Sequence, residues 1–237
     1  MRRAFPLLAS LLALTLVAPA WAQEAPAPTI LSAADVDPVR LLPPPPPEGS
    51  AAQKAELAEL HRIQDARTPA QLAQAKWDND HEDATAFTPT LGPAFDLAKL
   101  PATAKLLKIV DHEQSVAKKG GKAAFGRLRP WLVDPTLVGC EHSDDKPRSS
   151  YPSGHTSMAF AMAVVLADLL PDRAPAILAR AQEYGEDRLV CGVHFRSDVV
   201  AGQALGTAVG VQLLHAPALK ADIEAARQEL ATVQLSH

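Results

Sequence analysis

Apolar residues along this chain recur mostly at intervals of three and four, the period of an α-helix with one buried face. Leu57, Leu60 and Ile63 lie on one such face between Ser50, a capping residue, and Arg67. Thr68-Pro69 pairs a cap with proline at the first helical position and predicts a helix running towards Trp77. Residues 78–93 are polar and turn-rich and read as a loop. Leu106, Leu107, Val110 and Val116 predict a helix from Pro101 to Lys119, broken by Gly120-Gly121 and restarting near Lys122 to end before Pro130. Gly154 to Leu170 is almost continuously apolar and stops at Pro171. Asp172 is expected to cap a helix to about Arg188, and Ser197 one reaching Leu214. A last amphipathic helix should run from Pro217 to about Leu235.

β-branched alternation is nearly absent and no repeat is evident. The expected fold is therefore an all-α, single-domain helical bundle. Residues 154–170 and 198–214 are apolar enough to be its two central helices.

The first 22 residues stand apart from this pattern. Arg2 and Arg3, an apolar run from Leu7 to Val17, and Ala20-Trp21-Ala22 form a signal peptide, with the mature start at Gln23. The expected location is periplasmic or secreted. Residues 23–49 follow as a proline-rich arm, with Pro43 to Pro47 consecutive. Residues 50–237 form the helical domain. Beyond the signal peptide no apolar run is long enough to span a bilayer, so no stable membrane insertion is expected. Cys140 and Cys191, the only cysteines, form an even pair in an exported chain and are expected to be bonded.

Charge narrows the function. The full chain carries 23 basic and 27 acidic residues, and removal of the signal peptide takes two arginines, leaving a net charge of about −6. Nucleic-acid binding needs a basic face and is not expected. An anionic small molecule would need a local cluster of cations.

Three stretches supply one. Lys122 and Arg129, seven residues apart, would project from the same helical face. Ser153, Gly154 and His155 open the apolar helix, where unpaired backbone N–H groups and the positive dipole end favour an anion. Arg188 is followed by His194 and Asp198, four apart at a helix entry. There the carboxylate can fix the imidazole tautomer and leave the other nitrogen free as a nucleophile. Each stretch alone also fits a plainer account: solvated surface cations, an ordinary serine cap, or a capping aspartate that follows a histidine. No His/Cys/carboxylate set has metal-ligand spacing, so neither a metal nor another cofactor is expected. Together the three supply cations, helix-end donors and two histidines, the groups phosphoryl transfer requires.

The ordered set also resembles a known family. Lys122-x₆-Arg129-Pro130, Pro152-Ser153-Gly154-His155 and Arg188-x₅-His194-x₃-Asp198 are similar to the tripartite signature of the phosphatidic acid phosphatase type 2 and vanadium haloperoxidase superfamily. Within it the chain resembles the bacterial class A non-specific acid phosphatases over nearly all of its mature length. The resemblance implies hydrolysis of small phosphate monoesters, without metal, through a phosphohistidine. It makes His194 the nucleophile, Asp198 its orienting partner and His155 the acid and base. Lys122, Arg129, Ser153, Gly154 and Arg188 then bind the phosphate. Two alternatives remain: a vanadate-dependent haloperoxidase of the same fold, and a non-enzymatic periplasmic phosphate or polyanion binder. Assembly into homo-oligomers is left open. The family usually has serine where Asp187 stands; pairing of Asp187 with Arg188 would lower that arginine's effective charge.

Overall fold

The computed structural model describes residues 29–140 and 147–233. The expected signal peptide and the expected helix end at Leu235 lie outside these residues. Among the described residues every regular element is helical, and the fold is an all-α single domain.

Helix α1, Ala51–Ala66, starts where Ser50 Oγ accepts from Gln53 N. Helix α2, Pro69–Asp80, opens with a capping box in which Thr68 and Gln71 each satisfy the other's backbone N–H. It runs three residues past Trp77 because Asp78 faces inward and pairs with Arg180. The expected loop after it is largely helical too: Ala84–Phe87 forms a 3₁₀ turn and Thr88–Leu91 one α turn, and Phe87, Leu91 and Phe95 enter the core.

Helix α3, Pro101–Phe125, passes unbroken through Gly120-Gly121. The glycines serve packing instead of ending the helix. A Cβ on Gly121 would lie 3.0 Å from Pro152 Cδ and 3.3 Å from Pro38 Cβ. The break comes at Gly126, whose φ of 56° forms a left-handed cap. Lys122 therefore belongs to α3, while Arg129 precedes a separate turn, Pro130–Val133. The expected common helix face does not exist.

Helix α4, Gly154–Leu169, is the central element and is buried along almost its whole length. Helix α5, Ala174–Val190, follows a 3₁₀ turn, Pro171–Arg173. Asp172 lies inside that turn and does not cap α5; Arg173 holds the cap position without a side-chain bond. Helix α6, Arg196–His215, begins before the expected Ser197, because Asp198 accepts from Phe195 N and takes over the capping role. Pro217–Leu219 is a 3₁₀ turn leading into helix α7, Lys220–Leu230.

Helices α4 and α6 cross at unusually close range. A Cβ on Gly206 would fall 2.2 Å from Ser157 O, and one on Gly202 2.7 Å from Ser153 O. α3 and α5 cover the other faces of α4. Glu229 on α7 accepts from the N–H groups of Ala102 and Thr103, satisfying the start of α3. The described part of the arm lies along α3. Ile30 and Leu31 donate backbone N–H bonds to Glu113, and Tyr151 Oη donates to Pro43 O. No single helix among the described residues is long and apolar enough to cross a membrane.

Candidate active site

The N-terminus of α4, the loop before α6 and the end of α3 converge on a cavity of about 600 Å³. Of the eight residues singled out for chemistry, Lys122, Arg129, Gly154, His155 and His194 line it. Asp198, Ser153 and Arg188 are fully buried behind the wall.

His194 comes from the loop between Cys191 and α6, where Gly192 adopts a positive φ of 69°. That loop is tied to the preceding segment by the Cys140–Cys191 disulfide and by a bond from Cys140 N to Cys191 O. His194 Nε2 lies 2.8 Å from Arg129 Nη1, and Nδ1 lies 3.3 Å from Asp198 Oδ2. Guanidinium can only donate, so Nε2 presents its lone pair and Nδ1 carries the hydrogen towards Asp198. Burial, then the charges of Arg129 and Lys122, push the imidazole pKa well below its ordinary value. The ring is thus held neutral, with the Nε2 lone pair available, on the acid side of neutrality.

Asp198 is a hub. Its Oδ1 accepts from Arg127 Nη1 at 2.6 Å, and its Oδ2 from Ser150 Oγ at 2.5 Å and Phe195 N at 2.8 Å. Its backbone oxygen accepts from Ser153 N, so one residue fixes both His194 and the start of α4. Arg127 is held in turn by Glu56 at 2.6 Å and lies 3.9 Å over the Phe195 ring.

The cations that line the cavity are held in place by hydrogen bonds. Arg129 Nη1 also donates to Val193 O at 2.9 Å, and Lys122 Nζ donates to Ser149 O at 2.6 Å. Burial, then Arg129 and Lys118 nearby, lower the Lys122 pKa to about 7. An arriving dianion would restore its full charge. Ser153 is the N-cap of α4; its Oγ accepts from Thr156 N and Thr156 Oγ1. Arg188 donates to Asn79 Oδ1 at 3.0 Å and to Ala75 O at 2.8 Å, and its charge bears on both site histidines from below. Asp187 is pushed to about 8 by burial and by Asp78. At acid pH it is uncharged and does not offset Arg188.

His155 Nε2 faces Asn79 O at 3.3 Å, and Nδ1 lies 3.9 Å from Glu82 Oε1. This carboxylate neighbour was not expected from the sequence. Glu82 and Asn79 sit at and just past the end of α2, in a stretch whose polarity reads as solvated loop. Lys118, which also lines the cavity, reads as an ordinary surface residue of α3. Arg127 and Ser150 were visible beside the chosen motifs, but nothing in their spacing marks them as partners of Asp198. Among the described residues no three His, Cys, Asp or Glu side chains cluster to hold a metal ion.

Comparison with known proteins agrees with this geometry. The PAP2 superfamily pattern matches residues 107–221, which include all eight expected site residues. An acid phosphatase of Zymomonas mobilis is 33% identical over 207 residues, covering 84% of this chain and 78% of that protein. A non-specific acid phosphatase of Providencia stuartii is 29% identical over 205 residues, covering 84% and 83%. Among solved structures, a bacterial vanadium-dependent iodoperoxidase aligns with a TM-score of 0.59 at 18% identity, over 76% of this chain and 53% of that one. That likeness shows a shared fold. The chain belongs to the PAP2 superfamily and, within it, to the acid phosphatases.

Proposed function

We propose that this acid phosphatase is exported and hydrolyses a broad range of small phosphate monoesters without metal, through a phosphohistidine. The observation that carries the reading is the orientation of His194. Its Nε2 lone pair is turned to the Arg129 side of the cavity, and its Nδ1–H points at a carboxylate that three other donors keep in place.

In the first half-reaction Nε2 forms a bond to phosphorus as the phosphorus–oxygen bond to the leaving group breaks. His155 gives its proton to the departing oxygen. Asp198 stabilises the positive charge left on the His194 ring. Lys122, Arg129 and the Gly154 N–H hold the equatorial oxygens, with the Ser153 cap and the Arg188 charge behind them. In the second half-reaction His155, now neutral, takes a proton from water as the water oxygen attacks phosphorus. The nitrogen–phosphorus bond breaks, and orthophosphate and free His194 are released. No step calls for a metal ion. The sequence of residues 1–22 supports export, and so does a disulfide, which persists in oxidising compartments.

His194→Ala is expected to lower p-nitrophenyl phosphate turnover by several orders of magnitude while orthophosphate still binds, because the cations remain. Rapid acid-free quenching of the wild type with labelled substrate should trap phosphate on His194, and a chelator should leave the rate unchanged. Turnover in the variant within tenfold of wild type, or a rate lost to chelator and restored by a divalent ion, would refute the mechanism. Halide oxidation by the protein loaded with vanadate, without phosphatase turnover, would favour a peroxidase instead.

A further inference from the structure

The proposed mechanism asks His155 to bring a proton to the leaving oxygen, yet its surroundings expel protons. Burial first, then Arg188 on α5, bring its pKa down to about 4, with Lys118 on α3 adding to the effect. The Tyr184 ring stacks on it at 6.0 Å, and His194 faces it from the loop before α6. Only the segment that ends α2 pulls the other way, through Asn79 O and Glu82.

The geometry there is specific. With Nε2 held at Asn79 O, Nδ1 is the nitrogen that gains and loses the catalytic proton. It lies 3.9 Å from Glu82 Oε1, and that same oxygen accepts from Lys118 Nζ at 2.9 Å. Lys118 in turn packs against the start of α4: a Cβ on Gly154 would meet its Cδ at 3.0 Å and its Nζ at 3.2 Å. Glu82, Lys118, Gly154 and His155 all line the cavity. The ion pair therefore stands at the anion site.

We propose that Glu82 is a positioning residue for the leaving-group acid: its carboxylate, shared between Lys118 and the Nδ1 edge of His155, supplies the counter-charge that lets a buried imidazole carry a proton. This rests on the reading of His155 as the acid. At 3.9 Å the carboxylate is outside hydrogen-bond range, so it favours the charged ring without taking the proton from it. Burial would raise the Glu82 pKa, but the charges of His155, Lys118 and Lys122 outweigh it and hold the carboxyl near 2, anionic throughout the acid range. Lys118 competes with His155 for this charge. A substrate dianion at the Gly154 N–H draws the ammonium towards itself, frees Glu82 for His155, and so keeps the imidazole protonated when the leaving group is in place.

The test compares pH profiles of kcat/KM for wild type, Glu82→Gln, Lys118→Gln and His155→Asn, with p-nitrophenyl phosphate and an alkyl phosphate. Substrate ionisation is common to all four and cancels. Glu82 is partly exposed, so screening keeps its effect near the low end of the range for a neighbouring charge. Its loss should move the alkaline limb down by about one pH unit. It should also slow the alkyl ester about tenfold more than the aryl ester. Lys118→Gln should move the limb up, since it removes both a repelling charge and the competitor for Glu82. If His155→Asn flattens the limb but Glu82→Gln leaves it in place, the role of Glu82 falls and the acid assignment stands. If His155→Asn itself keeps the wild-type limb and leaving-group ratio, both fall.

Discussion

Asp187 stands where the resemblance implies serine, and its carboxyl is buried beside that of Asp78 with one oxygen lacking a hydrogen-bond partner. Burial and Asp78 raise its pKa from 3.8 to about 8, so between those values the folded chain binds a proton that the unfolded chain releases. Its contribution to stability therefore falls as pH rises through this window. Asp187→Asn keeps a donor for Asp78 and removes the titration. The variant is expected to melt roughly 2–4 °C above wild type at pH 8, with the gain vanishing towards pH 4. Thermal melts across that range check this, and an offset independent of pH would count against it. The charge of a residue next to the third motif was legible in the sequence, but its sign of action was not. Pairing with Arg188 follows from adjacency, whereas the carboxyl meets Asp78, more than a hundred residues away in the chain. His155 and His194 were legible because helix ends and i,i+4 spacing are local. Glu82 and Lys118 were not, because nothing local distinguishes a polar residue over a cavity from one over solvent.

At the scale of elements, periodicity located the long helices to within a few residues. The errors fell where glycine and capping residues admit two roles. Gly120-Gly121 reads as a break yet lies inside α3, where the close approach of Pro38 and Pro152 crowds any side chain at Gly121. Ser197 and Asp172 read as caps, but Asp198 and a 3₁₀ turn took those positions. Gly202, Gly206 and Gly210 carry no local signal as a set, although they let α6 lie against α4. Gly206→Ala would place a methyl group 2.2 Å from Ser157 O, a backbone atom that cannot swing aside. The two central helices must then separate, at a cost of about 3 kcal/mol. Denaturant unfolding should show a lower midpoint with little change in slope. A midpoint equal to wild type would mean that the helices are not in the contact described.

Over the whole molecule, the bundle core and the loop carrying His194 are held by different means. α4 and α6 are joined by apolar packing along their length, while the loop carrying His194 is anchored at its start by the Cys140–Cys191 bridge. Val193, two residues beyond that bridge, supplies the carbonyl that orients Arg129. Opening the bridge should therefore loosen phosphate capture before it melts the helices. Protein treated with reductant is expected to keep its far-UV circular dichroism while kcat/KM falls by about tenfold or more, and reoxidation should restore it. Full activity in protein with two titratable thiols would show that the loop holds itself. The consequence reaches beyond the fold. On the proposed reading, a phosphatase of wide tolerance would be a hazard among the phosphorylated metabolites of the compartment that makes it, and a nucleophile anchored by a sulfur–sulfur bond would be poorly set wherever thiols stay reduced. The redox state of the surroundings would then act as an arming step, with full competence reached only after the proposed export.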